Sequence, residues 1–160
     1  MNKQLKTLIV TVQNRPGVLY KLSGLIRKRQ FNIESLTVSH SMQEGISRFT
    51  IVINGDETII EKVSKQLYKI IEVLKVQEVK DSDVVARELA LIKVSTAKPN
   101  SRTEITTIAK HFRTHIVQIG EKHMVIELSG KEDKIDAFME VMRPFGIVDF
   151  VRTGRAALIK

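Results

Sequence analysis

The sequence predicts an α+β protein made of two successive βαββαβ modules. Three observations carry that reading: a strand, tight turn, helix and strand between Leu8 and Val38; a hairpin and second helix that complete a module by Val79; and the return of the same order between Leu89 and Val151. A βαββαβ order gives the ferredoxin-like arrangement, a four-stranded antiparallel sheet with both helices on one face.

Leu8-Ile9-Val10-Thr11-Val12 is rich in β-branched residues, which suit a pleated surface. Asn14-Arg15-Pro16-Gly17 stops the strand, because Asn bonds its own backbone and Pro presets the dihedral of a turn or a first helical position. Val18, Leu19, Leu22, Leu25 and Ile26 then fall at the spacing of one helix face. Ile33 to Ser41 reads as a second strand, with Glu34, Leu36 and Val38 alternating against Ser35, Thr37 and Ser39. After the turn Met42-Gln43-Glu44-Gly45, Ile46 to Asn54 alternates Phe49, Ile51 and Ile53 with Arg48, Thr50 and Val52, so the two strands form a hairpin. Asp56 is placed to cap a helix running to Ile70 with Ile60, Val63, Leu67 and Ile70 on one face, and Glu72 to Val79 is the fourth strand.

Lys80-Asp81-Ser82-Asp83 reads as linker, giving domains at 1–80 and 87–160 joined by 81–86. In the second module Leu89 to Thr96 is a strand and Ala97-Lys98-Pro99-Asn100 a loop. Ser101 with Glu104 has the spacing of a capping box before Ile105, Ile108, Ala109 and Phe112. His115 to Ile119 and Met124 to Leu128 are strands. Ser129 with Glu132 suggests another capping box, before Ile135, Phe138, Met139 and Met142, and Ile147 to Val151 is the last strand. A sheet with helices on one face leaves the other face open, and pairing with a second copy is the expected cover, making a homodimer the expectation. The loops after the first strands then lie near a module interface, where ligand pockets form.

Composition excludes several functions. No apolar stretch approaches the roughly 18 residues of a membrane span, and no signal-peptide pattern precedes Leu5. Zero cysteines exclude disulfides, thiol catalysis and Cys-ligated zinc, in keeping with a cytoplasmic protein. The net charge of +8 is spread over helix faces, with one local run at Arg27-Lys28-Arg29, which argues for solvated surface rather than nucleic-acid binding. An RNA-recognition module needs aromatics on its central strands, and these offer Phe49 alone, on the core face. Arg48 faces the other way and reads as surface. No catalytic triad or P-loop is present, and His111 and His115 fall on either side of a helix end, which argues against a metal pair.

The candidate site is the Asn14–Leu19 turn. Helix N–H groups without acceptors carry partial positive charge and attract a carboxylate or phosphate, and Gly17 leaves the approach unobstructed. Plain chain reversal is the alternative for such a turn.

Asn14-Arg15-Pro16-Gly17-Val18-Leu19, Phe31-Asn32-Ile33-Glu34-Ser35-Leu36-Thr37-Val38 and Ser47-Arg48-Phe49-Thr50-Ile51 resemble the regulatory (small) subunit of acetolactate synthase, also called acetohydroxyacid synthase. The likeness continues through Gln66-Leu67-Tyr68-Lys69, Val73-Leu74-Lys75-Val76, Arg87 to Val94 and Asp136-Ala137-Phe138, so it covers essentially the whole chain. The first module resembles an ACT domain, an amino-acid-sensing ferredoxin-like unit. The resemblance implies a non-catalytic subunit of branched-chain amino acid biosynthesis. Such a subunit activates a catalytic subunit holding thiamine diphosphate, Mg²⁺ and FAD, carries no cofactor or metal itself, and confers feedback inhibition by valine or another branched-chain amino acid. It further implies an effector held between two modules, by Asn14, Gly17, Val18 and Leu19 of one chain and by Asn32 and Ile33 of its mate. Gln13 stands where many relatives have an acid. Asn32 also reads as a helix-terminating residue. A stand-alone amino-acid sensor for another enzyme or a transcription factor is the alternative.

Overall fold

The first strand, β1 (Leu5–Gln13), is buried on both faces from Thr7 to Val10, and the two faces have different partners. Leu8, Val10 and Val12 face the helices, α1 (Val18–Lys28) and α2 (Glu57–Leu67), and join Leu22, Ile26, Phe49, Ile51, Ile53, Ile60, Val63 and Leu67 in one buried cluster. Each such side chain contributes about 1.5–3 kcal/mol when fully buried. The computed structural model describes residues 5–28 and 30–160; Arg29 of the basic run lies outside them. The remaining elements are β2 (Ile33–His40), β3 (Ile46–Asn54), β4 (Val73–Val79), β5 (Val84–Ser95), α3 (Ser101–His111), β6 (His115–Ile119), β7 (His123–Gly130), α4 (Glu132–Met142), β8 (Ile147–Arg152) and β9 (Ala156–Ile159).

The chain divides into two units: residues up to Ala86 together with Gly154–Lys160, and Arg87–Thr153. The first unit's sheet has the order β2-β3-β1-β4. Because β1 and β2 are each antiparallel to β3, they are parallel to one another and end at the same side of the sheet. Asp56 caps α2 as expected, its Oδ1 accepting from the Ile59 N–H at 2.9 Å. The second unit repeats the order as β6-β7-β5-β8, with Ala90, Ile92, Val94, Met124, Ile126 and Leu128 packed on Ile105, Ile135, Phe138 and Met142 of α3 and α4. Phe112 meets Phe138 edge-on, with ring centroids 5.1 Å apart. Arg152 ties β8 to the Glu88 carboxylate on β5 and, at 2.8 Å, to Asp136 on α4.

The far face of the first sheet departs from expectation. Around Thr7, Ile9 and Val79 it is covered by the unit's own chain rather than left open. Val84, Ala86 and Ala157 pack on Ile9 and Val79. Arg155, 9% exposed, donates to the Thr7 hydroxyl at 2.9 Å and reaches Asp81 at 3.0 Å. Gly154 lies so close to β2 that a Cβ there would stand 2.5 Å from the Thr37 hydroxyl and 3.1 Å from the Leu36 carbonyl oxygen. The strap exists because β5 begins at Val84, earlier than the predicted Leu89, and because β9, unrecognised in the sequence, pairs with it.

Both capping boxes are corrected. Asn100, with φ 63°, takes the N-cap position of α3, and the Ser101 hydroxyl donates instead to the Lys98 carbonyl at 2.7 Å. Ser129 is still in β7, whose pairing with β5 continues to Gly130, so α4 starts after Lys131 without a side-chain cap. The left-handed residue that ends α1 is Gln30 (φ 57°), not Asn32: the Phe31 N–H reaches back to the Ile26 carbonyl at 3.3 Å.

Candidate functional site

Two backbone bonds hold the turn after β1 in place. The Gln13 N–H donates to the Glu72 carbonyl at 2.8 Å, and the Asn14 N–H to the Gly45 carbonyl at 2.7 Å. Gly17 then turns the chain with φ 85°, a conformation that other residues adopt only with strain, and the space where its Cβ would stand is open for 4 Å. The helical ladder begins with the Lys21 N–H on the Gly17 carbonyl at 3.0 Å. Among the described residues the N–H groups of Gly17, Leu19 and Tyr20 have no protein acceptor. They point outward at the positive end of α1, where a carboxylate is the matching ligand.

Side chains around these amides divide by role. Val18 is buried in the core and offers only its backbone. Leu19 is 46% exposed, an apolar wall beside the free amides. Asn14 is exposed, and its Nδ2 lies 3.5 Å from Nδ1 of His40, the last residue of β2. On the other side Lys21 bonds the Glu72 carboxylate, which is only 6% exposed. That hydrogen bond, helped by Glu72's own backbone N–H, holds its carboxyl below the usual range despite burial.

Asn14, Gly17, Val18 and Leu19 are thus brought together, but Asn32 and Ile33 are not. They follow the C-terminal end of α1, an 11-residue helix about 16 Å long. Asn32 is exposed with its amide on Glu34 at 3.3 Å, and Ile33 is half-buried against the core. Along β2 the distance from Ile33 to His40 is about 23 Å. Within one chain the two groups of residues cannot share a small ligand.

His40, Gly45 and Glu72 border the turn and were not expected there. A signal existed for His40: two parallel strands joined by a crossover helix end on the same side of a sheet, which sets the ends of β1 and β2 on one side, one strand apart across β3. His111 ends α3 and His115 opens β6. Among the described residues no three His, Asp or Glu side chains gather as a metal site, and no helix is long and apolar enough to cross a membrane.

Two family models match the chain: an AHAS small subunit-like ACT domain over residues 8–75, and the small subunit of acetolactate synthase over residues 87–160. A probable acetolactate synthase small subunit from Archaeoglobus fulgidus is 46% identical, with 96% of each chain covered. The acetolactate synthase small subunit of Bacillus subtilis is 42% identical over 97% of this chain and 90% of its own length. The crystal structure of the acetolactate synthase small subunit from Thermotoga maritima superposes with a TM-score of 0.91 at 34% identity, covering 98% of both chains.

Proposed function

The chain belongs to the family of acetolactate synthase small subunits, and we propose that it is the valine-sensing member of the complex, activating the catalytic subunit and carrying its feedback inhibition. The observation that carries this reading is the α1 N-terminus: three unsatisfied amides with an exposed Leu19 and the Asn14 side chain around them. An α-amino acid with a short branched side chain complements that set. Its carboxylate suits the amides, its ammonium suits an asparagine carbonyl, and its isopropyl group suits Leu19.

The second half of the site comes from a second copy in this reading. Among the described residues β2 has β3 as its neighbour on one side only, which leaves its other edge for pairing. Antiparallel pairing of β2 with its copy across a two-fold axis sets the beginning of one strand beside the end of the other. Asn32 and Ile33 of one chain then stand beside His40 and the Asn14–Leu19 turn of its mate. The strap over the far face favours this edge-to-edge dimer over face-to-face packing.

Residues 1–80 serve as the effector-binding and dimerising domain, 81–86 as the connection and 87–160 as the second domain of the subunit. The chain itself is non-catalytic and cytoplasmic, and thiamine diphosphate, Mg²⁺ and FAD belong to the catalytic subunit. Inhibition follows from linkage: valine must bind more tightly to the arrangement paired with the less active enzyme. The test is reconstitution with the acetolactate synthase catalytic subunit of the same organism. Addition of this chain is expected to raise acetolactate formation and make it sensitive to L-valine. No change in rate and no valine sensitivity would refute the assignment and favour a sensor for another partner.

A further inference from the structure

The contact between Asn14 and His40 has a consequence for how the site recognises an amino acid. His40 is the one histidine in the first unit; the other three, His111, His115 and His123, lie in the second. It stands at the end of β2, paired with Ser47, and its Nδ1 is 3.5 Å from the Asn14 amide nitrogen. An imidazole nitrogen accepts from an N–H₂ group only while it carries no proton of its own. With Nδ1 as acceptor the Asn14 amide is fixed in one orientation: Nδ2 turned to His40, Oδ1 turned away from it.

We propose that His40 is a positioning residue for the effector site, which orients the Asn14 amide so that its oxygen receives the ligand's ammonium, and that protonation of His40 weakens amino-acid binding. This rests on the valine-sensing reading above. A proton on Nδ1 makes the imidazole a donor at both nitrogens, and Asn14 must then turn its oxygen to His40 and its N–H₂ toward the ligand. An amide N–H₂ facing an ammonium offers no hydrogen bond and opposes its charge, while the carboxylate end at the Gly17, Leu19 and Tyr20 amides is unaffected. Loss of one hydrogen bond to a charged group corresponds to about tenfold in affinity.

The charged groups on the elements around His40 are Arg15 on the β1–α1 turn, Glu44 on the β2–β3 turn and Arg48 on β3, with Glu72 on the far side of the Asn14 turn. Arginine and glutamate side chains do not ordinarily change charge between pH 5.5 and 7.5, whereas histidine does. The carboxylate and ammonium of valine are likewise constant over that interval.

The experiment is calorimetric titration of the full-length protein with L-valine at pH 7.5 and pH 5.5, for the wild type, His40→Gln and His40→Lys. Wild-type affinity is expected to fall about tenfold at the lower pH, as one charge-assisted hydrogen bond is lost. His40→Gln, whose side-chain oxygen accepts at either pH, should keep the affinity and lose the pH dependence. His40→Lys, a donor at either pH, should bind weakly at both. His40 is exposed, so neither replacement disturbs the core. Equal affinity in all three proteins at both pH values would overturn the role of His40 and leave the valine site standing. No binding of valine by the wild type at either pH would overturn the site, and the role of His40 with it.

Discussion

Replacing Arg155 by alanine should loosen the first unit, although the residue lies near the C-terminal end of the chain. The guanidinium is held under the sheet by the Thr7 hydroxyl and by Asp81. Thr7 is 1% exposed, so losing its partner leaves a buried hydroxyl oxygen short of a hydrogen bond, a cost of about 1–2 kcal/mol. Asp81 is well exposed, and that pair contributes about 0.5 kcal/mol after screening. The apolar stem of Arg155 adds about 1 kcal/mol of packing, offset in part by the side-chain freedom regained. The net loss is about 2 kcal/mol, equivalent to a urea midpoint roughly 1 M lower for a unit of this size. The assay can be confined to the first unit, because the chain has no tryptophan and its two tyrosines, Tyr20 and Tyr68, both lie there. Tyrosine fluorescence during urea unfolding should therefore report the shift. Arg155→Met, which keeps the stem but neither polar contact, should lose nearly as much, about 1.5–2 kcal/mol. A midpoint unchanged by Arg155→Ala would refute the strap as a part of the first unit's core.

Gly17→Asp should abolish valine binding, since it fills the open approach and sets a carboxylate against that of the effector; calorimetry with L-valine is the check. Gly17→Ala should destabilise the unit by about 1 kcal/mol through its φ of 85° alone, read as a lower urea midpoint. The carboxyl of Glu72 sits below its ordinary value, so its bond to Lys21 supports folding above the ordinary carboxylate range and is lost as the pH falls through the depressed value. Tyrosine-monitored urea midpoints should thus decline below about pH 4.5 in the wild type and decline less in Lys21→Met. Lys131 occupies the N-cap of α4 with an extended backbone and no capping side chain, so Lys131→Ser should stabilise the second unit by about 1 kcal/mol, visible in circular dichroism but not in tyrosine fluorescence.

Most of the fold was legible because the apolar residues of each strand and helix repeat at the period of the element. Phe49, Ile51 and Ile53 could be assigned to one face, and the structure buries all three. What the pattern hid is short or shared. Ala156–Ile159 is four residues long, too short for alternation to stand out, and it matters through Arg155, a residue type that composition assigns to surface. Ser101 and Ser129 have the spacing of capping boxes, but spacing does not reveal that a left-handed Asn100 or a strand continuing to Gly130 takes the position first. In the candidate site, Gly17 and its neighbours are contiguous and were read directly. His40 is 26 residues from Asn14, and their meeting depends on the parallel course of β1 and β2.

The shared site between two copies is the central claim, and complementation between two inactive variants tests it most directly. Asn14→Ala and Asn32→Ala chains would each be examined alone and then co-expressed, with L-valine binding measured by calorimetry. Each variant alone should fail to bind. In a mixed dimer one of the two sites draws Asn14 from one chain and Asn32 from the other, both intact, so random pairing restores about one quarter of the wild-type capacity. A co-expressed mixture that forms dimers and still binds no valine would contradict a site built across two chains.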